Sequence, residues 1–211
     1  MSERSTDPMA DARCAHEARL FVDMLESSRL VLLFGDGGAG KTALLQDWIM
    51  PALRSAAAPG GPHHVVYFDQ WSDAPLHALT AQIEATLPED VVTQADTPSL
   101  RYGPWVDRLS AWTARPGPNL VLIFDHFERY LASSASDGVA AFARQFIAAL
   151  AAPNLRVQFL VALRSAAEPL LMQRYAGRVA ALGDNRVVLP PPPRRRAAGA
   201  PHAVRREPGR G

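Results

Sequence analysis

The sequence has a single cysteine, Cys14, and lacks a run of eighteen apolar residues. One thiol cannot form an internal disulfide, and its scarcity fits a reducing compartment. Without a long apolar run, no segment is predicted to span a membrane. The first residues also lack the basic-then-apolar order of a secretory signal. We therefore expect a cytoplasmic protein with no membrane partner.

Lysine is almost absent, because Lys41 is the only lysine among 22 lysine and arginine residues. The guanine-reading sequence Asn-Lys-x-Asp of GTPases needs a further lysine, so a GTPase is disfavoured. The Ser-Gly-Gly signature of ABC-type ATPases is absent too. The six histidines show no metal-ligand spacing. We expect these histidines to form no metal site.

Charge is unevenly distributed along the chain. Residues 190–211 contain six arginines and one glutamate, a net charge of +5, so the total of +1 leaves −4 on the first 189 residues. The same segment has almost no large apolar residues, and we expect it to be a disordered tail. The rest of the chain is mildly acidic, and we expect no nucleic-acid partner.

The single lysine lies in a glycine-rich segment. Leu30–Phe34 is an apolar β-forming run, residues 35–42 read GDGGAGKT, and a helix-period pattern follows. The eight residues fit G-x-x-x-x-G-K-[ST], the Walker A motif, whose backbone N–H groups bind phosphates. A flexible glycine-rich turn is the alternative. The motif predicts a nucleotide site made of Gly35, Asp36, Gly37, Gly38, Ala39, Gly40, Lys41 and Thr42. In it, Lys41 is expected on the β- and γ-phosphates and the Thr42 hydroxyl on Mg²⁺.

Apolar runs alternate with helix-period segments. Strands are predicted at residues 30–34, 64–68, 120–124, 155–163 and 186–189. Helices are predicted from Asp7, after Lys41, and at residues 75–87, 100–114, 139–151 and 166–181. The helix at 100–114 is expected to break near residues 103–104, and a loop is predicted at residues 88–99. This alternation indicates an α/β fold with a parallel sheet whose strands carry function at their carboxyl ends. We expect residues 1–28 to form a disordered start and a helix, 29–189 the nucleotide-binding domain, and 190–211 the tail.

Charged residues follow two of the strands. Asp125 is the candidate Walker B residue, which we expect at the end of a strand beside the P-loop strand, where it completes the Mg²⁺ shell. Glu128 is the candidate general base, because His126 occupies the position where many such ATPases have glutamate. A surface glutamate that opens the next helix is the alternative. Arg164 is a candidate γ-phosphate sensor or, equally, a solvated arginine. Trp71 is interpreted as core packing in preference to a base contact.

Four segments together resemble the STAND class of P-loop NTPases, most closely the novel STAND group. They are FGDGGAGKTALL with MPALR, VVYFDQW, LVLIFDHFERYL and VQFLVALRSAAEPLL. After the third strand this family has Asp, Gln, Phe, Glu, Glu, whereas residues 125–129 read DHFER. After the fourth strand it has Arg, a small residue, Asp and Phe, whereas residues 164–167 read RSAA.

The resemblance implies a P-loop NTPase three-layer sandwich, with helices on both faces of a five-stranded, mainly parallel sheet of order 5-1-4-3-2. It implies ATP and Mg²⁺ as cofactors, Arg164 as the sensor, and nucleotide-dependent self-association in a signalling switch. Members of the class continue from the fifth strand into a helical lid and a winged-helix domain, which residues 190–211 do not resemble. A truncated or frame-shifted product is therefore expected, with a natural short form as the alternative.

These residues are compatible with two functions. The first is an ATP-binding, slowly hydrolysing NTPase, which residues 35–42, Asp125 and Glu128 favour. The second is a nucleotide-dependent interaction module without turnover, which His126 and the missing lid favour. A DNA-associated ATPase that uses the arginine-rich tail ranks below both, because the sequence shows no base-reading element.

Overall fold

The computed structural model describes residues 8–55, 62–114, 119–133, 136–179, 182 and 185–190. The expected tail beyond residue 190 and the expected helix cap at Asp7 lie outside these residues. The strands are β1 Leu30–Phe34, β2 His64–Phe68, β3 Leu120–Phe124, β4 Val157–Leu163 and β5 Arg186–Val188. The α-helices are α1 Pro8–Ser27, α2 Lys41–Ala43, α3 Met50–Ser55, α4 Pro75–Thr86, α5 Glu89–Gln94, α6 Pro98–Tyr102, α7 Trp105–Trp112, α8 Phe127–Ala132, α9 Asp137–Ala151 and α10 Glu168–Tyr175.

The five strands form one sheet in the order β2-β3-β4-β1-β5. Every pairing between them is parallel. Read from the other edge, this order is the expected 5-1-4-3-2, so the fold class is confirmed. Because the strands are parallel, their carboxyl ends meet at one edge of the sheet, where the P-loop, Asp125 and Arg164 all lie.

Helices cover both faces of the sheet. Side chains alternate between the faces of a strand, so Leu30, Leu32 and Phe34 join one hydrophobic cluster while Val31 and Leu33 join the other. The first cluster is closed by helices α4 to α10 and the second by α1 and the helix that follows the P-loop. No helix in the described ranges is both long enough and apolar enough to cross a membrane.

The helix after the P-loop is continuous but not uniform. It begins as α2, widens into a π-helical stretch at Leu44–Ile49, and ends as α3. Pro51 has no N–H for a bond to the carbonyl four residues earlier, and a wider turn just before it accommodates that loss. The stretch turns Leu44, Leu45 and Ile49 into the second cluster.

Several predicted boundaries are wrong in detail. Strand β4 begins at residue 157 and β5 ends at residue 188. The loop predicted at 88–99 contains α5 and the start of α6, which begin after Pro88 and at Pro98, because proline suits the first turn of a helix. The helix predicted at 166–181 is shorter: it starts with a 3₁₀ turn, and Gly177 follows its end at φ 74°. The predicted break at residues 103–104 is confirmed.

Candidate nucleotide-binding site

The P-loop adopts backbone angles that require glycine. Gly38 and Gly40 both have φ of 80°, in the left-handed region that other residues rarely adopt. At Gly35 a Cβ atom would lie 3.2 Å from the Cβ of Ala39 and 3.3 Å from that of Leu189, closer than side chains normally pack. The glycines at these positions therefore let the loop turn tightly between β1 and α2.

Lys41 folds back along this loop. Its Nζ donates to the Gly35 carbonyl at 2.6 Å and to the Asp36 carbonyl at 3.2 Å, and only 8% of the residue is exposed. An ammonium group has three donors. Among the described residues two are used by carbonyls of the same loop, which leaves one for a phosphate oxygen.

The Asp125 carboxylate lies fully buried at the end of β3 and accepts three hydrogen bonds. Its Oδ2 accepts from Thr42 Oγ1 at 2.6 Å and from Tyr67 Oη at 2.8 Å. Its Oδ1 accepts from the backbone N–H of His126 at 2.8 Å. This last bond depends on the left-handed backbone of His126, with φ of 53°. The structure thus brings together the two residues predicted to hold Mg²⁺.

The strand of Asp125 is not the neighbour of the P-loop strand. Strand β4 lies between β1 and β3, so the expectation that Asp125 ends a strand beside the P-loop strand is wrong. Thr42 and Asp125 nevertheless touch, because the helix after the P-loop carries Thr42 across the end of β4. The gap is occupied by the end of β4 itself, which is where Arg164 lies.

Glu128 lies next to Arg164 and His126. The Arg164 backbone N–H donates to Glu128 Oε2 at 3.3 Å, and the guanidinium Nε lies 3.3 Å from Oε1. The Nδ1 of His126 lies 3.6 Å from the same Oε1. The Arg164 side chain is 62% exposed, whereas that of Glu128 is 16% exposed. The predicted base and the predicted sensor therefore form a pair at the edge of the site.

Trp71 packs in the core, as the sequence favoured. Its ring meets Phe68, Phe127 and Phe142 at centroid distances of 4.9, 5.1 and 5.6 Å. Its Nε1 also donates to the backbone carbonyl of Asp125 at 2.6 Å. The indole thus holds the main chain at Asp125 from the face of the sheet opposite the helix that follows the P-loop.

Tyr67 is a partner of Asp125 that no sequence motif indicates. Tyr67 is one aromatic residue in the β2 run VVYF, and its contact depends on the pairing of β2 with β3. Burial, and then the hydrogen bond to Asp125, raise the pKa of Tyr67 far above its ordinary value, so the phenol keeps its proton and acts as a donor.

A cleft of about 560 Å³ opens beside the P-loop. Its walls come from α1, the P-loop, the helix that follows it and the end of β5. The residues that line it include Cys14, Glu17, Gly38, Gly40, Leu44, Trp48 and Leu189. A mixed apolar and polar cleft continuous with a phosphate-binding loop has the composition of a small-molecule site.

The oxygen atoms at Thr42 and Asp125 suit Mg²⁺. This cation prefers hard oxygen ligands, one or two from the protein, and completes its shell with water and phosphate oxygens. The Thr42 hydroxyl and the Asp125 carboxylate, joined by a 2.6 Å hydrogen bond at the mouth of a phosphate loop, are such a set. The residues present therefore fit the ion.

The fold is similar to that of solved structures, among them two of Aeropyrum pernix ORC2. Aeropyrum pernix ORC2 in ADPNP–ADP complexes is 19% identical over 90% of this chain and 50% of that chain, with a TM-score of 0.56. The ADP form of ORC2 is 20% identical over 85% of this chain and 47% of that chain, again with a TM-score of 0.56. This chain thus spans about half the length of those proteins.

The family of this chain is shown by a match to a family model. No curated protein matches this chain significantly. The model of the family Novel STAND NTPase 1 matches residues 13–201, which include the P-loop, β3 with Asp125 and β4 with Arg164. A match of this extent covers most of the chain and shows its membership. The chain belongs to the Novel STAND NTPase 1 family.

Proposed function

We propose that this domain binds ATP with Mg²⁺ and hydrolyses it slowly, as the NTPase module of a STAND-type signalling switch. The observation that carries the proposal is the contact of Thr42 with Asp125 at the mouth of a glycine loop that holds the only lysine. That geometry places the phosphate-binding backbone, the Lys41 ammonium group and the metal ligands of a P-loop NTPase within one small region.

The triphosphate occupies the P-loop, with its β- and γ-phosphates on Lys41. The base and ribose lie in the cleft beside α1, which opens directly from Gly38 and Gly40. Trp48 and Leu44 offer it apolar surface, and Glu17 offers an acceptor. ATP is favoured over GTP because the sequence lacks a guanine-reading motif. Solved proteins of similar fold are described with ADPNP and ADP, which supports an adenine nucleotide.

Mg²⁺ is held by Thr42 and Asp125. The ion, when bound, neutralises developing charge on the phosphate oxygens. Asp125 stays oriented for this role because each of its carboxylate oxygens is already fixed by a donor from the protein.

Glu128 is the proposed base for the attacking water, and Arg164 the proposed γ-phosphate sensor. Their mutual contact supports slow turnover, because the Glu128 carboxylate is occupied by the Arg164 guanidinium and backbone N–H and has to be released before it can contact the attacking water. Arg164 reaches the γ-phosphate only by leaving Glu128, which then becomes available to water. The same contact favours the second candidate function, a nucleotide-dependent interaction module in which Glu128 is never released.

Phosphate release measured with Mg²⁺ and ATP separates the two functions. Hydrolysis predicts slow release that Glu128→Gln abolishes while ATP affinity is retained. Glu168→Gln is the matched control, since Glu168 also pairs with an arginine, Arg186, but does not line the cleft beside the P-loop. ATP binding with no release in the unmodified protein would instead support the interaction module.

Self-association and signalling are proposed from the family alone. Sedimentation velocity with ATP, with ADP and without nucleotide tests the first of these. A nucleotide-dependent switch predicts a larger species with ATP than with ADP. Equal sedimentation under all three conditions would contradict it.

A further inference from the structure

We propose that Tyr67 is a positioning residue for the metal, and that its hydroxyl fixes the Asp125 carboxylate in the orientation that binds Mg²⁺. This inference rests on the proposed function, since it assigns a role within the same site. It concerns a residue outside the Walker A and Walker B motifs, on the far strand of the sheet.

The hydrogen bonds of the carboxylate lead to this role. A carboxylate can accept about four hydrogen bonds, two on each oxygen. Oδ2 accepts from Thr42 and Tyr67, and Oδ1 accepts from His126 N–H. Oδ2 is thus filled by two hydroxyls, whereas Oδ1 retains one acceptor position. Among the described residues, Oδ1 is therefore the oxygen that would remain available to Mg²⁺ or to a water of its shell.

The hydroxyl of Tyr67 holds the orientation of the Asp125 carboxylate even when the Thr42 hydroxyl moves. When Thr42 serves as a metal ligand its hydroxyl must satisfy two partners at once, the cation and Asp125. A second hydroxyl on Oδ2 keeps the buried carboxylate from rotating while Thr42 adjusts. Outer partners that orient a metal ligand in this way commonly affect metal affinity by about 10- to 100-fold.

Tyr67 is itself held by two contacts. Its backbone carbonyl accepts from Gln82 Nε2 at 2.5 Å, which ties β2 to α4. Its half-buried ring packs against the second cluster, the one shared with the helix after the P-loop. The ring thus lies against the cluster formed by the helix of Thr42, while the hydroxyl donates to Asp125 at the end of β3.

The competing interpretation is a tyrosine that only fills space in the core. Tyr67→Phe removes the hydroxyl and keeps the ring. Tyr175→Phe is the matched control, because Tyr175 is fully buried and its hydroxyl donates only to another tyrosine, Tyr130, at 3.2 Å. A purely structural role predicts that the two variants behave alike in metal binding.

ATP affinity is measured by calorimetry in EDTA and across a series of Mg²⁺ concentrations. Tyr67→Phe is expected to keep the unmodified affinity in EDTA and to need about 10- to 100-fold more Mg²⁺ for half-maximal tightening of ATP binding. Tyr175→Phe is expected to match the unmodified protein in both conditions. Electron paramagnetic resonance with Mn²⁺ reads metal binding to the ATP complex directly and should show the same shift.

The outcomes separate this inference from the proposed function. If the unmodified protein shows no Mg²⁺-dependent ATP binding, the proposed function fails and this inference with it. If the unmodified protein responds to Mg²⁺ and Tyr67→Phe responds identically, only the role of Tyr67 is overturned. Should Tyr67→Phe fail to fold, Gln82→Leu, which removes the hydrogen bond that ties the Tyr67 main chain to α4, must shift the Mg²⁺ dependence in the same direction, and an unchanged dependence overturns the role.

Discussion

Arg164→Ala distinguishes a γ-phosphate sensor from a solvated arginine. In stability terms the substitution removes one contact, between Nε and Glu128 Oε1 at 3.3 Å. The hydrogen bond from the Arg164 backbone N–H to Glu128 survives. Because the side chain is 62% exposed, the lost pair is worth about 0.2–1 kcal/mol. For a domain of this size that corresponds to a fall in melting temperature of about 4 °C at most.

The effect on nucleotide binding is expected to be larger and selective. A hydrogen bond between charged groups is worth about 1.5–3 kcal/mol, which is about 10- to 150-fold in affinity. ADP has no γ-phosphate, so its affinity should not change. Arg164→Ala should therefore lower the ratio of ATP affinity to ADP affinity by about that factor.

Calorimetric titration of ATP and of ADP, both with Mg²⁺, measures the ratio. Arg129→Ala provides the control, because Arg129 is an exposed arginine on α8, one residue after Glu128. It removes the same charge nearby and should leave the ratio unchanged. The sensor role is refuted if Arg164→Ala leaves the ratio at its original value, or if both variants lower it equally.

Three further predictions concern the P-loop, the pair His63 and His64, and the core. Gly40→Ala places a Cβ at φ 80°, which costs about 1–2 kcal/mol, and should weaken ATP binding and lower the urea midpoint. Burial lowers the pKa of His63 and of His64, so the unfolded chain binds more protons; stability should fall as pH drops below about 6.5 and level off below the folded-state pKa. Urea midpoints measured at a series of pH values check this fall in stability, and His63→Phe should reduce the dependence of the midpoint on pH. Leu160→Ala, at a fully buried β4 position, should cost about 2–5 kcal/mol in urea unfolding.

The parts of the site predicted from sequence are those with a local pattern. The spacing of Gly35, Gly40, Lys41 and Thr42 encodes loop geometry directly, since positive φ and phosphate contact restrict the residue types. Asp125 was identifiable because an apolar run ending in a carboxylate marks the carboxyl edge of a parallel sheet. Strand order is not encoded locally, and its prediction came from the family resemblance.

The contacts that sequence could not predict depend on which strands are neighbours. Tyr67 reaches Asp125 only because β2 pairs with β3, and Glu128 meets Arg164 only because β4 lies beside β3. The left-handed turn at His126 is also fixed by tertiary contacts, because no glycine marks it. Sequence identified Glu128 and Arg164 separately but gave no indication that they pair.

The central claim is that the P-loop binds ATP together with Mg²⁺, and one titration tests it most directly. Calorimetry of ATP with Mg²⁺ is carried out on the unmodified protein and on Lys41→Ala. Saturable binding is expected, and loss of the buried ammonium should weaken it by about 2–3 kcal/mol, or about 30- to 150-fold. Absence of binding in the unmodified protein, or equal binding by Lys41→Ala, would contradict the claim.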